Sequence, residues 1–115
     1  MVAVLLVVGS ARADQKITLK CKGDMMVFGR EYPDNEFSVV IDLADKSIHF
    51  DNLDFEITAT DDQQIQFGKI GFSDGKIDRI TGDTTFFMWH GTRPGDAKNY
   101  DRADVAKCAR AESLF

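Results

Sequence analysis

The chain has little with which to do chemistry. It holds two histidines, two cysteines, two prolines and one tryptophan in 115 residues. No cluster of Lys and Arg stands out and the formal charge is −5, so the basic footprint of a nucleic-acid binder is missing and nucleic acid is excluded as a partner. Neither G-x-S-x-G nor any comparable serine occurs, which removes the strained nucleophile that a Ser/His/Asp triad needs. The lack of C-x-x-C argues against a dithiol redox motif and a zinc half-site. Asp51, Asp54, Asp61, Asp62, Asp74, Asp78 and Asp83 fall mainly in turns, and none follows the D-x-D-x-D-G pattern of a calcium loop. Nothing calls for a cofactor or a metal ion, and no catalytic residue is assigned.

A long hydrophobic run is also lacking. The apolar stretch 2–8 is too short to span a bilayer, and it is followed by Gly9-Ser10 and by Ala11-Arg12-Ala13, which fits an A-x-A cleavage site. Residues 1–13 therefore read as the remnant of a signal peptide without its basic first part, with a buried N-terminal strand as the alternative. Residues 14–115 are expected to be a single β domain, periplasmic or secreted, with no stable membrane span in the mature chain. Export gives the two cysteines a meaning. Cys21 and Cys108 stand 108 − 21 = 87 residues apart, and an even count in an oxidising compartment is expected to pair.

What the chain does have is alternation. In 15–22 (QKITLKCK), Ile17, Leu19 and Cys21 share one face and the lysines and Thr18 the other, a half-buried strand that Gly23-Asp24 is expected to end. Residues 25–28 suggest a short apolar strand, and 29–35 (GREYPDN) carry turn chemistry around Pro33. Phe37, Val39, Ile41 and Leu43 give the clearest strand. Ile48 and Phe50 follow, with His49 outward, and then Leu53, Phe55, Ile57 and Ala59.

Residues 63–90 read as a three-strand meander. Asp74-Gly75 and Gly82-Asp83 suit two-residue turns. The phase changes between Ile65, Phe67 and Ile70, Phe72, which predicts a β-bulge near Gly68. In the last strand Phe86 and Met88 oppose Phe87 and Trp89, so both faces are apolar and are either covered or offered to a ligand. The tail 101–112 has helix formers. A short helical turn is expected from Arg102 or Ala103, against the alternative of a last strand at 105–108, with Leu114 and Phe115 as an apolar end. The fold expected is all-β: about eight short antiparallel strands in meander order, as a small barrel or curved sandwich.

At Cys21, at 75–82 (GKIDRITG) and at 108–115 (CARAESLF) the chain resembles a group of small exported bacterial β-proteins of unassigned function. Members carry a leader, an early L-K-C, an I-D-R-x-T-G strand and a cysteine followed by an apolar C-terminal pair. The resemblance implies fold and export and brings no active site. It departs from the group at 101–107. More distantly, size, export and one end-to-end disulfide are similar to periplasmic lysozyme inhibitors, eight-stranded barrels whose inhibitory loops carry Ser-Gly and Trp-x-Lys-Gly. Residues 85–97 (TFFMWHGTRPGDA) echo only the second of these.

Trp89, His90, Arg93 and Tyr100, near loops after the meander, are the candidate binding residues. Asp78 and Arg79 are expected to form a structural charged pair or to bond a turn, since buried charge needs a partner. The function expected is a non-catalytic binding or inhibitory module of the cell envelope, engaging an envelope protein or a small ligand. The alternatives are a lipocalin-like carrier whose interior phenylalanines hold an apolar ligand, and an enzyme of unknown class resting on His90 and the acidic turns.

Overall fold

Eight segments of alternating side chains become eight strands: β1 (Lys16–Val27), β2 (Arg30–Asp42), β3 (Ser47–Phe50), β4 (Leu53–Thr60), β5 (Gln64–Gly68), β6 (Ser73–Asp78), β7 (Asp83–Met88) and β8 (Arg102–Arg110). The structure is a computed structural model, and it describes residues 16–111. The expected leader and the pair Leu114 and Phe115 lie outside the described residues. Each strand pairs antiparallel with the next, and β8 returns to pair with β1, closing a barrel in simple meander order. Among the described residues no helix is long and apolar enough to cross a membrane.

The inward positions of eight strands meet in the middle, as expected for a barrel just wide enough for side chains to fill. Val39, Ile41, Ile48, Phe50, Ile65, Phe67, Ile77 and Phe86 are all buried. The rings of Phe37, Phe50, Phe55, Phe67 and Phe86 lie with centroids 4.8 to 5.9 Å apart. Burying each such ring contributes about 1.5–3 kcal/mol. Phe28 and Phe72 lie outside this layer and are exposed, and Phe87 faces outward.

The seam is fixed covalently. Cys21 and Cys108 face each other in the register of β1 and β8, and their sulfurs are bonded.

Four local expectations need correction. The tail 102–110 is strand and not a helical turn. Its Arg102, Asp104, Ala106 and Cys108 alternate inward, and pairing with both β1 and β7 outweighs helix propensity. A single 3₁₀ turn, Ala97–Asn99, precedes it. Secondly, Gly23-Asp24 does not end β1. A Cβ on Gly23 would stand 2.2 Å from the Val105 carbonyl oxygen, so glycine lets β8 approach while the strand runs on. The hairpin turn is instead Phe28-Gly29, both with positive φ (50° and 82°). Pro33 and Asp34 form a bulge opposite Asp24, where the register of β1 and β2 shifts.

Thirdly, Asp74-Gly75 is not a turn but the second and third residues of β6. The Phe67 ring lies over Gly75, and a Cβ there would stand 2.2 Å from its Cζ. The turns of the meander are 69–72 and 79–82, with Asp83 opening β7. Finally, the bulge expected near Gly68 lies across the sheet, at Thr58 in β4, where the register shifts between Ile57 and Ala59.

Candidate functional site

Three of the four candidate binding residues come together on the outside of β7, where they form a packed cluster. Trp89 and Tyr100 are buried with Ala103, and Met26 and Phe87 pack against them. The segment from Trp89 to Asp101 is tied down by backbone bonds: Trp89 N–H donates to the Phe72 carbonyl, Asp101 N–H to Met88, and Phe28 N–H to Asp101. Arg93 then closes the cluster from outside. Its Nε donates to Tyr100 Oη at 3.0 Å and its Nη1 to Asp74 Oδ2 at 3.1 Å, with the guanidinium 4.9 Å from the Trp89 ring centre. The bond to Tyr100 first, and then that to Asp74, raises the Arg93 pKa above its ordinary value. The second apolar face of β7 is thus largely covered.

His90 stands apart from that cluster. Its ring is 85% exposed, and Nδ1 sits against Oδ2 of Asp101, whose side chain is 15% exposed. His49 makes a similar surface contact with Asp54 Oδ1 at 2.6 Å. A histidine oriented by a carboxylate is two parts of a nucleophilic triad, but among the described residues no serine or cysteine is bonded to either ring.

Asp78 and Arg79 bond different turns and not each other. Asp78 Oδ1 accepts the N–H groups of Ile80 and Thr81 at 2.8 and 2.9 Å, and these bonds, Thr81's first, lower its pKa. Arg79 Nη1 donates to the Asp61 carbonyl at 2.7 Å.

The interior holds an ionic group that sequence reading missed. Arg102 Nε donates to Asp104 Oδ2 at 2.8 Å and Nη2 to Asp51 Oδ2 at 3.1 Å. Its guanidinium lies 5.7 and 5.8 Å from the ring centres of Phe50 and Phe86. Burial raises the Asp104 pKa, opposed by the hydrogen bond and charge of Arg102. The signal was present as Arg-x-Asp in a stretch where alternate residues point inward. A helical reading of the tail hid it.

Among the described residues three hollows stand out, one of them a shallow lysine-lined surface between Lys20, Lys22, Glu36 and Lys107, and the other two are apolar. One of these two, of about 280 Å³, lies on the outer surface between the β1–β2 hairpin and β7–β8. Met26, Phe87, Ala103 and Val105 line it with Tyr32, and Asp24 and Glu31 stand at its rim. Val105 is 62% exposed and Tyr32 41%. Residues 24–34 carry three carboxylates, Asp24, Glu31 and Asp34, against one cation, Arg30, whereas Glu36 lies opposite Lys22 in another hollow. None of those carboxylates makes an ion pair among the described residues. At the tip of the same hairpin Phe28 is 76% exposed with φ 50°, a conformation that costs a bulky side chain about 1–2 kcal/mol.

The other hollow, of about 430 Å³, is the barrel mouth where β1 begins and β8 ends. Ile17, Leu19, Ile41, Ile65 and Ile77 line it, with the 78–82 turn and Arg110 at its lip. Comparison with protein-family models, with curated proteins and with solved structures gave no match.

Proposed function

We propose that this chain is an exported, non-catalytic binding module of the cell envelope, and that it docks a protein partner on the groove between the β1–β2 hairpin and β7–β8. The groove carries this reading. Exposed apolar side chains on a small protein mark interaction sites when they are contiguous and rimmed by polar residues, and here the exposed Val105 and Tyr32, beside the half-buried Phe87, adjoin carboxylates that make no ion pair among the described residues. The partner's chemistry follows by complementarity: apolar side chains flanked by Lys or Arg. Phe28 supports the same reading, because backbone strain of this kind gathers at functional positions. A disulfide and the expected leader fit an oxidising compartment. The enzyme reading rests on His90, which sits against Asp101, and on the acidic turns, and these name no substrate.

The test immobilises four versions of the protein against an envelope extract: wild type, Val105→Arg, Phe28→Gly and Ile70→Arg. Ile70 is 93% exposed and does not line the groove. One protein should be retained by wild type and Ile70→Arg and lost from Val105→Arg and Phe28→Gly. Once purified, that protein should bind wild type with an affinity that weakens with salt. Equal retention by all four versions, or binding indifferent to salt, contradicts the reading.

A further inference from the structure

The open mouth of the barrel suits a ligand different from the one expected at the groove. Its floor is aliphatic, made by Ile17, Leu19, Ile41, Ile65 and Ile77. Its depth is limited, because the phenylalanine layer fills the middle of the barrel and the Cys21–Cys108 bridge stands beside it. The volume of about 430 Å³ falls at the small end of the roughly 300–1,000 Å³ range of small-molecule sites.

The lip is cationic in a specific way. Arg110 ends β8 on the same side of the strand as Cys108 and Ala106, lines the hollow, and has no carboxylate in ion-pair range among the described residues. Arg79, also lining the hollow, is held in place by its bond to the Asp61 carbonyl. The other polar groups of the lip are already used. Asp78 accepts from Ile80 and Thr81, and Gly82 N–H donates to the Asp78 carbonyl. The turn's amides are therefore spent, and an incoming head group meets two guanidiniums against the single carboxylate of Asp78, whose charge is partly satisfied by the turn's N–H groups. Each can grip a carboxylate with two parallel bonds.

We infer that this mouth binds a free anionic amphiphile, a carboxylate on one unbranched aliphatic chain of medium length, with the chain on the isoleucine floor and the head group at Arg110 and Arg79. A free monomer is favoured over an anionic membrane surface because the protein's charge of −5 opposes approach to such a surface.

The experiment titrates decanoate into the full chain by calorimetry, with decanol as the neutral equivalent, butanoate as the short acid and phosphatidylglycerol vesicles as the membrane surface. Saturable one-to-one binding of decanoate is expected, with decanol weaker by about tenfold or more because it lacks the hydrogen-bonded charge, and butanoate likewise because it lacks most of the buried chain. Arg110→Glu and the milder Arg110→Gln should remove that preference for decanoate over decanol, and Ile17→Glu should weaken both ligands. Four results overturn the proposal: no saturable binding by the full chain, an unchanged preference in both Arg110 variants, binding only by a chain ending at Ala111, or vesicle binding as tight as that of decanoate.

Discussion

Arg102 is buried inside the barrel between Phe50 and Phe86 and is neutralised by Asp104 and Asp51. Removing one member of such a group leaves a buried charge without compensation, so Arg102→Ala should lower unfolding free energy by about 3–5 kcal/mol in urea titrations. The same group sets a pH response. Burial holds the Asp104 carboxyl above its ordinary value of 3.8, so its ionised form is disfavoured in the folded state. Its contribution to stability is therefore greatest below that ordinary value and is lost as pH rises through the higher folded one. Asp61 and Asp78 act in the opposite sense. Backbone N–H groups lower their pKa, so their contribution is present above the ordinary value and lost as pH falls. Asp104→Asn should remove the first effect alone, seen as a smaller loss of unfolding free energy on raising pH through the carboxylate range. Gly75 is a simpler site. Any side chain there meets the Phe67 ring, so Gly75→Ala should cost about 1–3 kcal/mol by overpacking.

Among the elements, the first hairpin and the seam carry most of the consequence. The Cys21–Cys108 bridge spans 87 residues, and closing so long a loop stabilises by roughly 4–5 kcal/mol in the chain-entropy model. The double variant Cys21→Ser, Cys108→Ser should lower the denaturation midpoint accordingly, while mass spectrometry of unreduced wild type shows the mass deficit of two hydrogens. Phe28→Gly should do the reverse, raising stability by about 1 kcal/mol as the left-handed strain is relieved, even as the partner is lost. This divergence separates a docking residue from a packing residue. Alternation made the clearest elements legible: residues 37–41 needed only their period of two because one face is buried, and 53–57 because one face is half-buried, whereas Ala59 falls beyond the bulge at Thr58 and is exposed. The turns were not legible for a physical reason. Glycine after aspartate signals a hairpin through its backbone freedom, but Gly75 is there for the space it leaves beneath Phe67 and Gly23 for the space it leaves to β8. Neither neighbour is local in sequence. The cluster at Trp89, Arg93 and Tyr100 was legible as a gathering of aromatic and cationic residues near a strand end, and its covered state was not, because that depends on how 91–101 folds back over β7.

For the whole molecule, a closed barrel with a filled middle leaves function to its surface and its mouth. Closure removes most strand edges. The first half of β2, beyond its pairing with β3, is guarded by Pro33, the bulge at Asp34 and charged side chains, which turns other strands away. What the surface then offers is side chains: an apolar groove with unpaired carboxylates on a protein of charge −5. Steering by that charge favours a basic partner and predicts an association rate that falls with salt. The most direct measurement places a photo-activated cross-linker at Val105, and separately at Ile70 and Ile80 as exposed controls, and irradiates each in the envelope fraction. The expected result is one cross-linked partner of defined mass from position 105, absent from positions 70 and 80 and competed away by unlabelled wild type but not by Phe28→Gly. Cross-links of equal yield and pattern from all three positions, or none from Val105, would contradict the groove as the docking face.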